Sequence, residues 1–295
     1  MLWPLLKALY IDQNLFIFGK ESMSEIKKVA VVTGAAGVLC SSMVKTLLQE
    51  GMHVAMVGRT LSKLENLQNE LKTQGFENTM VFSANVLDKP KLEEAAESIL
   101  AQWGRIDVLV NGAGGNHPKG TTPIEQMTSD SKLEESFFGL DATALQDVNE
   151  LNFIGTMLPT QVFSKHMLGN GGCVVNLSSM AAAQPLTKVA AYSAAKAAVD
   201  NFTRWLSVHL APMNIRVNAI APGFFLTDQN RFLLTEEDGS LKARGQKILN
   251  NTPMNRFGEP ENLASSLKFL VSDESSFITG IIIPVDGGFL AYSGV

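Results

Sequence analysis

Seven short apolar runs recur along this chain, and most are followed by a stretch long enough to be a helix. The runs are VAVVT at 29–33, HVAMV at 53–57, TMVFSA at 79–84, DVLVN at 107–111, CVVNL at 173–177, IRVNAI at 215–220 and IIIPV at 281–285. Their interiors stay apolar without strict alternation, the pattern of strands covered on both faces. Helical stretches include 42–50, 61–73, 92–103 and 191–210. This alternation predicts repeated strand–helix–strand units in one doubly wound α/β fold: a seven-stranded, mainly parallel sheet with helices on both faces. Two segments break the rhythm, 116–147 after the fourth strand and 227–253 after the sixth. Both follow strand ends, where a doubly wound sheet forms its ligand crevice, so both are candidate substrate walls.

Composition excludes several classes. The 295 residues are 45% hydrophobic, too apolar for a disordered chain. A net charge of −5 leaves no basic excess to neutralise a phosphate backbone, which argues against a nucleic-acid partner. No apolar run reaches the roughly 18 residues of a membrane helix, so no membrane partner is expected. Two cysteines, Cys40 and Cys173, are too few for a disulfide framework and suit a cytoplasmic setting. His53, His117, His166 and His209 are scattered without ligand spacing, so no metal site is expected. The first 22 residues are apolar but interrupted by Pro4, Lys7 and Asp12, with no small-residue cleavage site. They read as an N-terminal extension or arm, Met23 being a second possible start, and 23–295 reads as a single domain.

Two motifs carry chemistry. Thr33-Gly34-Ala35-Ala36-Gly37-Val38-Leu39-Cys40 joins the first strand to a helix. Such a turn offers free N–H groups and a positive dipole end to phosphate, and its small residues allow close approach. Further on, Tyr192 and Lys196 stand four apart at the start of an apparent helix and therefore share a face. A free phenol has a pKa near 10, too high for efficient proton transfer at neutral pH. An ammonium about 5 Å away stabilises phenolate by roughly 3 kcal/mol at an effective dielectric of about 20. Ser179 lies 13 residues before Tyr192, just after a strand, and its hydroxyl can support a developing oxyanion. Its neighbour Ser178 is expected to bond locally.

With these residues in order, the chain resembles the short-chain dehydrogenase/reductase family over 28–289. The resemblance implies a Rossmann-type fold, an NAD or NADP cofactor, and hydride transfer between the nicotinamide and a secondary alcohol or ketone. Ser179, Tyr192, Lys196 and Asn152 match the family's catalytic positions, Asn152 being the helix asparagine that anchors a water beside the lysine. The cofactor would be held by Gly34, Ala36, Gly37, Val38 and Leu39 of the turn and by Tyr192 and Lys196. Asn85 and Val86 would meet the adenine. Asn111, Ala113 and Gly114 match the family's NNAG stretch, with Gly112 in place of the second asparagine. Pro222, Gly223, Phe225 and Thr227 match its PGxxxT stretch. The usual TGxxxGxG turn is altered: Val38 and Cys40 stand at the second and third glycine positions. Cys40 reads as a small buried filler rather than a reactive thiol. The second strand ends at Gly58-Arg59, with no carboxylate for an NAD ribose, and Arg59 suits a 2′-phosphate, which favours NADP over NAD.

Less common stretches, among them NGAGGNHPK and PGFFLTDQNR, are similar to bacterial members assigned to D-mannonate or D-fructuronate oxidoreduction, and to the gluconate 5-dehydrogenase type. Asn116, His117 and Arg231 are the candidate substrate contacts. The alternatives are a broad carbonyl or 3-oxoacyl carrier-protein reductase and a non-catalytic NADP-binding regulator, the latter opposed by the intact Ser179–Tyr192–Lys196 set. The family's paired long helices imply a homo-oligomer, a tetramer or dimer, through the apolar residues of 191–210.

Overall fold

The computed structural model describes residues 27–226 and 234–294. The arm expected over 1–22 lies outside them, as do Thr227 and Arg231. All seven runs form strands: β1 Val29–Thr33, β2 His53–Gly58, β3 Thr79–Ser83, β4 Val108–Asn111, β5 Gly172–Leu177, β6 Ile215–Pro222 and β7 Ile282–Val285. Every pairing is parallel, in the order β3-β2-β1-β4-β5-β6-β7. The helices are α1 Val38–Gln49, α2 Leu61–Thr73, α3 Lys89–Trp103, α4 Ala142–Asn149, α5 Gly155–Ser164, the single turn α6 Met180–Ala183, α7 Ala190–Leu210, α8 Ala243–Asn250 and α9 Ala264–Val271.

Burial explains why the strands lack polar alternation. Within β1, Ala30 and Val32 enter one core and Val29 and Val31 the other. The first core packs α1, α2 and α9 against the sheet, through residues such as Met43, Leu47, Leu64 and Leu267. The second packs α3, α5 and α7, through Leu92, Ile99, Phe163 and Leu206. With both faces covered, apolar side chains are favoured at every position of the inner strands, while the edge strands β3 and β7 are half-buried.

Local sequence sets the helix ends. Asp88 caps α3 by accepting from Lys91 N at 3.2 Å, a proline opens that helix, and Gly104, at φ 75°, closes it in the left-handed region. Asp141 caps α4 in the same way, accepting from Ala144 N at 2.8 Å. The chain order reverses direction between β1 and β4, and this switch point opens a crevice beyond the strand ends. Among the described residues, no helix is long and apolar enough to cross a membrane.

Candidate active site

A cavity of about 300 Å³ lies at that switch point. Its walls come from the ends of β1, β4, β5 and β6 and from the start of α7. They include Gly37, Val38, Leu39 and Cys40, then Gly114, then Ser178 and Ser179, then Tyr192 and Lys196, then Pro222, Gly223 and Phe225. A larger cavity, of about 660 Å³, opens at the other end of the strands beside Val108, Cys173 and Ile215, away from these groups.

The turn after β1 is built to let something approach it. Gly34 stands at φ +65°, and a Cβ there would lie 2.8 Å from Ala113 Cα and 2.9 Å from Gly112 O, so no side chain fits. Thr33 Oγ1 accepts from Gly112 N at 3.1 Å and from Ala113 N at 3.3 Å, tying the ends of β1 and β4 together. Gly37 caps α1 with no side chain of its own. The first-turn N–H groups of α1 therefore have no intrahelical acceptor and carry the positive end of the helix dipole. No acidic residue occupies that turn. A dinucleotide pyrophosphate fits this cradle.

The family's altered glycines find a physical account here. Val38 is the first residue of α1, and neither it nor Cys40 has positive φ, so neither position demands glycine for its backbone. Cys40 Sγ sits 3.6 Å from Gly112 O, and a Cβ on Gly112 would lie 2.2 Å from that sulfur. The two departures from the family's pattern are complementary in space: Cys40, where the pattern has glycine, fills the volume beside Gly112, where the pattern has asparagine. Burial pushes the Cys40 thiol up to about 12, so it is neutral filler, as expected.

Tyr192 and Lys196 occupy successive turns at the start of α7, with Lys196 Nζ 5.7 Å from the phenol ring centre. Lys196 is 4% exposed and donates to Leu177 O at 2.8 Å. Burial lowers its pKa to about 8, against the opposing influence of Cys40 and Asp200. The phenol differs from the sequence expectation. Burial raises the Tyr192 pKa, and hydrogen bonding with Ser179 opposes that shift. Placing a phenolate in an apolar wall carries a desolvation cost that opposes the pull of the ammonium. Ser179 caps α6, its Oγ accepting from Ala181 N at 3.2 Å, which leaves the hydroxyl proton to be donated on the Tyr192 side.

Asn152 lies in a π-helical turn, Glu150–Ile154, between α4 and α5, and is fully buried. Its Nδ2 donates to Gly115 O and Val148 O, both at 2.7 Å, and its Oδ1 accepts from Gly115 N at 3.1 Å. It thereby pins the β4 loop beside the lysine: a Cβ on Gly114 would lie 2.8 Å from Asn152 Oδ1 and 3.3 Å from Lys196 Nζ. Asn111 supports β4 from below, donating to Thr160 Oγ1 at 2.8 Å and Asn176 Oδ1 at 2.9 Å.

A second cavity, of about 340 Å³, adjoins the first at Gly115 and is lined by Arg59, Asn85, Asn116, His117, Asp147 and Glu150. Val86 is buried and packs towards Gly155, where a Cβ would lie 2.8 Å from its Cγ2. Asn116 and His117 therefore share a chamber with Arg59, not with Tyr192. Their side chains also serve their own loop: Asn116 Oδ1 accepts from His117 N, and His117 Nδ1 accepts from Lys119 N at 3.2 Å. One group went unnoticed in the sequence. Asp200, 8% exposed, accepts a hydrogen bond from Ser178. Its signal was present as a carboxylate one helical turn beyond Lys196 in an otherwise apolar stretch.

Residues 34–290 match the family model described as enoyl-(acyl carrier protein) reductase. The uncharacterised oxidoreductase UxuB of Bacillus subtilis is 49% identical over 270 residues, covering 91% of this chain and 96% of that one. The chain is a short-chain dehydrogenase/reductase. A second oxidoreductase, from Haemophilus influenzae, is 44% identical over 271 residues, covering 91% of this chain and 95% of its own. A solved structure of a candidate D-mannonate oxidoreductase from Haemophilus influenza, with bound NAD, superposes with a TM-score of 0.86 at 43% identity, covering 91% of this chain and 96% of that one. This short-chain dehydrogenase/reductase is thus an oxidoreductase of an NAD(P)-binding family, with the doubly wound fold its sequence predicts.

Proposed function

We propose that this dehydrogenase/reductase interconverts a secondary alcohol and a ketone of a sugar acid, either D-mannonate and D-fructuronate or gluconate and 5-ketogluconate. The observation that carries the reaction is the convergence of Ser179, Tyr192 and Lys196 on the cavity that also holds the α1 N-terminus. When bound, the nicotinamide dinucleotide supplies or accepts the hydride. The α1 turn and Gly34 cradle its phosphates, and Pro222, Gly223 and Phe225 wall the redox end. In the reducing direction the Tyr192 hydroxyl gives its proton to the ketone oxygen while the Ser179 hydroxyl donates a hydrogen bond to that oxygen. Lys196 grips the cofactor ribose and favours phenolate. Burial raises the Tyr192 pKa, which keeps the phenol protonated and ready to donate in the reducing direction. Asn152 holds the β4 loop and Lys196 in register.

Support for the sugar acid comes from the structural relative described as a candidate D-mannonate oxidoreductase and from the polar sequence of the segments after β4 and β6. A second reading, reduction of a 3-oxoacyl carrier-protein thioester or a broader carbonyl, is favoured by a 3-oxoacyl-(acyl carrier protein) reductase of Thermotoga maritima that is 35% identical over 270 residues. For the cofactor, exposed Arg59 supports NADP. NAD is the other reading, favoured by the relative's bound NAD and by Asp147 and Glu150 in the Arg59 chamber, which disfavour an added phosphate. The long helices support a homo-oligomer, and two buried free thiols, Cys40 and Cys173, suit a reducing cytoplasm.

The test is a screen of the purified protein with NADPH and NADH against D-fructuronate, 5-ketogluconate and a 3-oxoacyl thioester. Oxidation of the cofactor by a sugar acid supports the proposal. Turnover restricted to the thioester selects the second reading, and cofactor binding without turnover on any ketone selects a non-catalytic regulator.

A further inference from the structure

Two buried hydrogen bonds fasten the start of α7 to the end of β5. Lys196 Nζ donates to Leu177 O at 2.8 Å, and the next residue along, Ser178, donates its hydroxyl to Asp200 Oδ1. Ser178 is held in turn from the sheet, its backbone N donating to Ile220 O at 2.8 Å. Lys196 and Asp200 are four apart on α7 and so stand one above the other on a single face. The two bonds close a ring: the Leu177–Ser178 pair on the strand side and the Lys196–Asp200 pair on the helix side. Ser179 follows at once on the strand side, and Tyr192 lies one turn before Lys196 on the helix side.

We propose that Asp200 is a positioning residue of the active site: a buried counter-charge for Lys196 that also, through Ser178, fixes the reach between the Ser179 hydroxyl and the Tyr192 phenol. The inference rests on the reading of Tyr192 and Lys196 given above. A buried ammonium with no counter-charge sheds its proton rather than bear the desolvation. The groups facing Lys196 are Asp200 and Tyr192 on its own helix and Cys40 on α1. Cys40 holds its proton up to about pH 12 and Tyr192 is raised, so at neutral pH both are uncharged. Asp200 is therefore the carboxylate left to hold the lysine's proton. Asp200 itself is raised by burial, with the Ser178 hydrogen bond and the charges of Arg204 and Lys196 opposing that shift.

The test reads cofactor affinity against pH, because it needs no substrate. NADH and NADPH are titrated into the full-length protein, and binding is followed by the fluorescence of the reduced ring. Wild type should bind more weakly as pH rises through about 8, where Lys196 loses its proton. Lys196→Met should abolish that limb. Asp200→Asn keeps the shape and can still accept from Ser178, but it carries no charge. It should match wild type at about pH 6 and bind several-fold more weakly at about pH 8, since the less stabilised ammonium titrates earlier. Asp200→Glu should restore the wild-type limb. Should Asp200→Asn fail to fold, Asp200→Ser is the smaller replacement, with the same expectation. A limb lost in Lys196→Met but unmoved in the Asp200 variants overturns the inference alone. A limb unmoved in Lys196→Met overturns the assignment of Lys196, and the inference with it.

Discussion

At the residue scale, the exchange of side-chain volume between positions 40 and 112 makes a sharp prediction. Gly112→Asn places a Cβ 2.2 Å from Cys40 Sγ and 2.9 Å from Thr33 O. Overpacking of this kind costs about 1–3 kcal/mol. Cys40→Gly removes the sulfur but puts glycine inside α1, which costs about 1 kcal/mol. The double variant should recover much of the loss, giving a favourable coupling of at least about 1 kcal/mol in a denaturation cycle. Purely additive losses would show that the two positions do not exchange volume. Such pairs explain what sequence reading can and cannot reach. Tyr192 and Lys196 were legible because helix periodicity places them together, and Ser179 because its spacing from Tyr192 matches a family pattern. Cys40 meets Gly112 across 72 residues, and Ser178 meets Asp200 across 22. Contacts of that separation leave no periodic trace, so only the folded chain displays them. The raised phenol was likewise invisible, because burial is a property of the assembled cavity.

At the scale of elements, the strands were fully legible since two covered faces demand continuous apolar runs. The start of α1 was harder to see. It begins at Val38, ahead of the helix expected from 42, because Gly37 supplies no capping side chain to announce it. The long segment after β4 contains its own ion-pair node. Glu125 meets Arg244 at 3.4 Å and hydrogen-bonds Lys247, both on α8. Lys188, just before α7, adds its charge. Thr122 N donates to Lys188 O at 3.0 Å, so the segment after β4, α8 and the approach to α7, the proposed substrate walls, meet here. Hydrogen bonding from Lys247, and then the surrounding cations, hold the Glu125 carboxyl below the ordinary carboxylate range. A lowered acid stabilises above its unfolded pKa and loses that contribution as pH falls through the folded value. The tie should therefore persist through neutral pH and dissolve on acidification. Glu125→Gln should leave global stability within about 1 kcal/mol, since the groups are partly exposed. Initial-rate kinetics should show KM for the ketone raised several-fold, with kcat and cofactor affinity changed little. An unaltered KM would make the node a surface ornament.

At the scale of the whole molecule, α7 presents an aromatic stripe to solvent. Phe202 stacks on Trp205 at 6.4 Å and Trp205 on His209 at 4.9 Å, while Trp205 is 58% and Val208 77% exposed. A contiguous apolar patch on a helix face marks an interaction surface, and a second copy of the same helix is its natural complement. If the proposed homo-oligomer forms through this face, wild type should show an oligomeric mass by light scattering and Trp205→Glu a lower one; a monomeric wild type, or an unchanged mass in the variant, would contradict the proposal. The buried core on both sides of the sheet gives the crevice rigid walls, and every proposed step depends on the Tyr192 proton being delivered there. The direct measurement compares wild type with Tyr192→Phe: cofactor affinity by fluorescence, and kcat with the ketone that wild type reduces fastest. The phenol account predicts kcat lower by about two to four orders of magnitude, the scale of acid–base catalysis, with cofactor affinity nearly unchanged. A phenylalanine variant that turns over at the wild-type rate would contradict it.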